Sequence, residues 1–104
     1  MIEYNNGSIT VTATVKKIFP IEEKSWWFQI RKVWIEFDSK NPDFPHQILL
    51  EQTWNKIWLV DQLEKNKQYV FYIDFLVRER QETAFFRATA WKIEKANDDS
   101  ELPF

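Results

Sequence analysis

The chain has 104 residues, of which 44% are hydrophobic and 17% aromatic, with no cysteine and a formal net charge of −2. That length bounds it to one domain with a modest core, and the missing cysteines exclude disulfides and thiolate metal sites and fit a reducing compartment. There is no run of 18 apolar residues and no secretory leader, so a soluble cytoplasmic protein with no membrane partner is expected.

Residues 9–16 alternate strictly, with Ile9, Val11, Ala13 and Val15 on one face and Thr10, Thr12, Thr14 and Lys16 on the other. This is the pattern of a half-buried strand. Pro20 to Ser25 breaks it and reads as a loop. A second strand spans residues 26–38. From Val33 onward Val33, Ile35 and Phe37 face inward, and Lys32, Trp34 and Glu36 face outward. Phe28 and Ile30 share parity with Lys32, so either a bulge or bend near residue 30 intervenes or both point outward. Lys40 to Pro45 is a turn, and a third strand runs from His46 to Thr53.

Trp54 to Lys65 reads as a short amphipathic helix with Ile57, Val60 and Leu63 inward and Asn66 as its left-handed cap. Trp54 and Trp58 are expected in the core or on the floor beneath the helix. A fourth strand begins at Tyr69, with Tyr69, Phe71, Ile73, Phe75 and Val77 toward the core. Arg78 to Thr83 is a polar loop. The last strand, Ala84 to Lys95, turns Phe86, Ala88 and Ala90 inward and Phe85, Arg87, Thr89 and Trp91 outward.

The order β, β, β, α, β, β is that of the OB-fold, a five-stranded Greek-key barrel with a helix between strands three and four. The fold class is therefore all-β with one short helix; a β-sandwich is the rival, but its seven strands are hard to find in the sequence. Residues 1–95 form the OB-fold domain and residues 96–104 an acidic tail. Setting aside Asp98, Asp99 and Glu101 leaves 14 basic against 13 acidic residues in the body, a charge of +1. Any affinity for nucleic acid must then lean on stacking more than on charge.

Catalysis has little support. His46 is the only histidine and Gly7 the only glycine, and no nucleophile–base set can be placed together. No cofactor and no metal are called for. Binding is better supported, because nine Phe, six Trp and three Tyr exceed what a small core absorbs. OB barrels hold single strands on the outside of strands two and three, rimmed by two loops. The matching set is Trp26, Trp27, Phe28, Lys32, Trp34, Arg78, Arg80, Phe85 and Arg87. For Trp34 the other reading is cross-strand packing or a subunit interface; for Trp26 and Trp27 it is packing at the barrel rim. Lys16 and Lys17 are phosphate contacts or plain solvated lysines. Exposed aromatic strands are also compatible with a homo-oligomer.

The tail NDDSELPF joins acids at Asp98, Asp99 and Glu101 to Leu102, Pro103 and Phe104. An apolar pocket with a basic rim would suit it. It resembles the C-terminal tip of bacterial single-stranded-DNA-binding proteins, with less linker before it than that family has. The body resembles a family of short bacterial OB-like proteins of unassigned function. Arg78–Glu79, the run Ala90 to Glu94, and the Trp54 segment leading into Val60 to Leu63 carry that resemblance over residues 9–95. The resemblance of the body implies the fold more than any chemistry; that of the tip implies sequence-independent binding of single-stranded DNA, as in cellular or phage replication, repair and recombination, with the tip recruiting the proteins of those processes. The alternative is an OB-type protein-interaction adaptor that binds no nucleic acid.

Overall fold

A computed structural model describes residues 2–5, 8–25, 28–38 and 43–96. Seven strands and one helix follow in order: β1 (Ile2–Asn5), β2 (Ser8–Ile18), β3 (Glu22–Ser25), β4 (Phe28–Phe37), β5 (His46–Thr53), η1 (Trp54–Gln62), β6 (Gln68–Arg80) and β7 (Thr83–Lys95). Five of the strands close a barrel. β2 pairs with both β4 and β6, β4 with β5, and β6 with β7, all antiparallel. The circle closes where β5 meets β7 in parallel, at Leu50↔Ala88. This connectivity is OB-like, as the element order predicts. β1 extends the sheet beside β2, and β3 forms a hairpin with β4.

The alternating residues of β2 and β4 build the core. Val11, Val15, Val33 and Ile35 are fully enclosed, with Leu50, Phe71 and Ile73 between them. β2 serves two neighbours in succession, β6 along Ser8–Thr14 and β4 along Thr14–Ile18. Its register with β4 slips between Val15 and Lys17, so Lys16 is an extra residue. Such a bulge bends the strand where it changes partner. β4 and β5 pair without a break from Ile30↔Thr53 to Phe37↔His46; the register shift beside residue 30 lies in the β3–β4 ladder, between Glu23↔Gln29 and Ser25↔Phe28. Ile30 is buried nonetheless.

A second bulge lies in β7. The register with β6 shifts between Tyr72 and Ile73, leaving Trp91 as the extra residue. It changes the parity of the buried positions from Ala88 and Ala90 to Ile93.

Three segments depart from the sequence reading. Glu22–Ser25 is a strand and not a loop, held by its ladder with β4 rather than by burial. Trp54–Gln62 is a 3₁₀-helix, and the three-residue spacing of Ile57, Val60 and Leu63 is the 3₁₀ period. Ile57, Val60 and Leu63 are buried, but Trp54 and Trp58 are exposed, at 63% and 68%. Asn66 does adopt positive φ, in the turn after the helix, where its N–H donates to the Val15 carbonyl at 2.7 Å. Finally, β6 and β7 continue through the expected loop to a two-residue turn at Gln81 and Glu82, with φ of 52° and 65°. Two left-handed residues make the hairpin turn whose twist suits its strands. Phe75, Val77 and Phe86 keep their inward parity, yet all three are exposed. The β2 ladder ends at Asp74 and β5 meets β7 only at Ala88, so the hairpin beyond has nothing described to pack on.

Barrel closure rests on Gln52, which has no exposed surface. Its Nε2 donates to the Ala90 carbonyl at 2.9 Å and to the Lys56 carbonyl at 3.2 Å; its Oε1 accepts from the Ala90 N–H at 2.8 Å. Gln52→Leu leaves buried Ala90 groups unpaired at the barrel seam. It should cost about 2–4 kcal/mol, seen as a lower urea midpoint with an unchanged slope.

Candidate nucleic-acid interface

The outer face of the barrel seam gathers side chains from four strands. In the β4–β5 ladder Trp34 lies across from Leu49 and Lys32 across from Glu51. On the other side of β4, Lys17 of β2 lies across from Trp34. β7 adds Arg87, whose Nε sits 3.1 Å from Glu51 Oε2, and Thr89, whose hydroxyl donates to the Glu51 carbonyl at 3.0 Å. The face thus runs Lys17, Trp34, Leu49, Arg87 across the strands. Trp34 is half-buried, and Leu49 is 47% exposed.

These positions follow from pairing geometry. Directly paired residues share a sheet face: the unbroken β4–β5 ladder sets Leu49 across from Trp34, and the slip after Val15 makes Lys17, in place of Lys16, its partner on β2. The Lys17 ammonium lies 4.9 Å from the centre of the Phe19 ring. Lys16, the bulge residue, is half-buried.

Of the residues expected to bind, Lys32, Trp34 and Arg87 come together here. Phe85 lies two residues before Arg87 on the same face of β7 and is exposed. Arg78 and Arg80 occupy register positions across from Phe85 and Thr83. Phe28 belongs elsewhere: it is half-buried, with its ring 5.8 Å from that of Trp54 in an edge-on contact. Trp26 and Trp27 lie outside the described residues, as do Asp98, Asp99, Glu101, Leu102, Pro103 and Phe104.

Two residues of this face escaped the sequence reading. Leu49 stands beside Leu50, and two adjacent leucines hide which one points out. Glu51 matters more. It lies across from Lys32 in the ladder and takes up part of the Arg87 charge. The Arg87 side chain is about one-third exposed.

A cavity of about 460 Å³ opens by the η1–β6 turn, lined by Glu64, Lys67, Tyr69 and Lys95 among others. It shares no residue with the seam face. Among the described residues no cluster of His, Asp and Glu has the make-up of a metal site. His46 starts β5 with its ring 5.1 Å from that of Phe37. No helix among the described residues is long and apolar enough to cross a membrane.

Beyond the seam on β7, Trp91 packs against Tyr72 at 5.3 Å, and Lys92 Nζ is 3.0 Å from Glu94 Oε1. Hydrogen bonds from Lys92, then from Tyr72, hold the Glu94 carboxyl below the ordinary glutamate value, and Glu94 in turn raises Lys92. A depressed carboxylate stabilises the fold above its unfolded pKa, and that contribution is lost as pH falls through the folded pKa.

No protein-family model matches the chain, and no curated protein sequence matches it. An NMR titration of the Glu94 carboxyl should give a midpoint below the ordinary 4.5. Lys92→Met should move that midpoint upward; an unmoved midpoint would show that Lys92 is not its cause.

Proposed function

We propose that the protein binds single-stranded DNA without sequence preference on the seam face and recruits other proteins through its acidic tail. The observation that carries this reading is the placement of Trp34 on the outside of an OB-like barrel between Lys17 and Leu49, with Lys32 and Arg87 on neighbouring positions. An aromatic ring accepts any base by stacking, and the surrounding cations follow the phosphates. Phe85 extends the stacking path along β7, with Arg78 and Arg80 as further phosphate contacts and Trp26 and Trp27 as further stacking residues.

Asp98, Asp99 and Glu101 speed encounter with a basic partner surface, and the Phe104 ring fills an apolar pocket there. Pro103 narrows the freedom of the free segment and so lowers the cost of ordering it. The partners in this reading are proteins of DNA replication, repair and recombination, in the cytoplasm.

One observation favours a second reading, a protein-interaction adaptor. Glu51 holds Arg87 at 3.1 Å and so opposes phosphate on that very face. The two readings part in a titration with fluorescent oligo-dT. Four phosphates met by Lys32, Arg78, Arg80 and Arg87 give a log–log salt slope of about −3. The adaptor shows no binding at any salt.

Trp34→Ala should fold normally and lose about 1–3 kcal/mol of oligo-dT affinity. Glu51→Gln should release Arg87 and tighten binding about threefold or more at low salt, with a steeper slope. A Glu51→Gln protein that binds no better would remove Arg87 from the phosphate path. In a pull-down from cell extract, Phe104→Ala should lose the helicases and nucleases that the wild type retains, with oligo-dT affinity unchanged. Equal capture by both would end the recruitment proposal.

A further inference from the structure

We propose that two copies of this chain pair through the inner face of the β6–β7 hairpin. That face carries Phe75, Val77 and Phe86, exposed by 40%, 68% and 63%. Val77 pairs with Phe86 across the ladder, and the Phe75 and Phe86 rings stack at 5.5 Å with 20° between their planes. The three side chains continue the parity of the barrel interior past the point where the barrel ends. They have the composition of a core and, among the described residues, no core to join.

The chemistry of the face excludes nucleic acid as its occupant. By register it holds positions 75, 77 and 79 of β6 and 84, 86 and 88 of β7. The one charged residue among these is Glu79, and none is Lys or Arg. A polyanion needs cations along its path, and this face offers an acid. Phe85 and Arg87 point the opposite way, toward the proposed DNA face.

Area decides for a second copy. Aromatic side chains carry about 150–250 Å² each, so the exposed fractions leave roughly 300 Å² of apolar surface on this face. Two copies together hide about 600 Å². Homodimer interfaces are about 65% apolar, which places the whole contact near 1,000 Å², at the lower limit for a specific association. The nearly parallel ring pair is flat, and a flat apolar plate complements itself about a twofold axis. Pairing inner face to inner face leaves both outer faces open. Two DNA sites on one particle would raise avidity; that gain alone depends on the DNA reading.

The test is sedimentation equilibrium of the full chain without DNA, over about 1–100 µM, the range expected for an interface of this size. The wild type should shift from monomer to dimer. Val77→Glu and Phe86→Glu should each remain monomeric with unchanged far-UV circular dichroism, and the milder Val77→Ser should weaken dimerisation at least tenfold. Phe85→Glu, on the other face, should still dimerise. A wild type that stays monomeric throughout overturns the proposal. So does a dimer that survives Val77→Glu and Phe86→Glu. A monomeric wild type whose oligo-dT affinity falls in Phe86→Glu would assign the face to nucleic acid and overturn it as well. Since the primary readout contains no DNA, failure of dimerisation leaves the single-strand proposal standing, and failure of oligo-dT binding leaves the dimer standing.

Discussion

The barrel depends on a side chain doing the work of a strand. Four of its five seams are antiparallel ladders with several paired residues each, but the fifth, between β5 and β7, shows a single parallel bridge at Leu50↔Ala88. Gln52 completes it. The carboxamide presents one donor and one acceptor to Ala90, the same pair of hydrogen bonds that a backbone neighbour would make, and its second donor ties down the start of η1 at Lys56. Every polar atom of the amide is satisfied in a site closed to water. Satisfied, such a group locks one arrangement; half-satisfied, it would be costlier than an apolar residue of the same shape. Ala88 and Ala90 are the other half of this joint. Larger side chains there would hold β7 away from the Gln52 amide.

The closure also makes the outer face. Because β7 is drawn against β5, Arg87 reaches Glu51 and Thr89 reaches the Glu51 carbonyl. Without that seam, Trp34 and Arg87 would stand apart in one open sheet, with β2 and β6 between their strands. The arrangement sets a limit on electrostatics too. The cations of the face are offset locally by Glu51, and those of the body by 13 acids. Under the single-strand proposal, affinity would therefore come from stacking, and the salt dependence would stay modest for the contact area.

Much of the barrel was legible from alternation. Residues 9–15, 33–37 and 69–73 lie where two-residue periodicity places them, since each is flanked by partners that bury one face. The same rule failed for Phe75, Val77 and Phe86. Parity says which face a residue takes but not whether anything covers that face, and the ladders that would supply cover stop at Asp74 and Ala88. β3 was hidden because EEKS has no apolar alternation and is held by backbone pairing alone. Trp54 was misread because size suggests burial. Its φ of 54° places it in the left-handed region at the entry to η1, which is costly for a bulky residue. On the candidate site, Trp34 and Lys32 were legible by parity. Glu51 was not, since its influence comes from Arg87, 36 positions away along the chain.

The two faces of the β6–β7 hairpin bring these points together. One strand pair leaves the barrel with its parity intact, so its inner side is core-like and its outer side belongs to the seam face. On the outer side aromatic and basic residues are mixed, Phe85 with Arg87 and the positions of Arg78 and Arg80. On the inner side apolar residues stand with a single acid. A hairpin selected only for solubility would carry charge on both sides, as exposed strand edges commonly do. A hairpin that only stacked bases would need cations wherever it has rings. The segregation seen here, apolar with Glu79 on one side and aromatic with Arg87 on the other, fits two occupants of different chemistry. Because side chains alternate, each surface can be altered by substitution without touching the other.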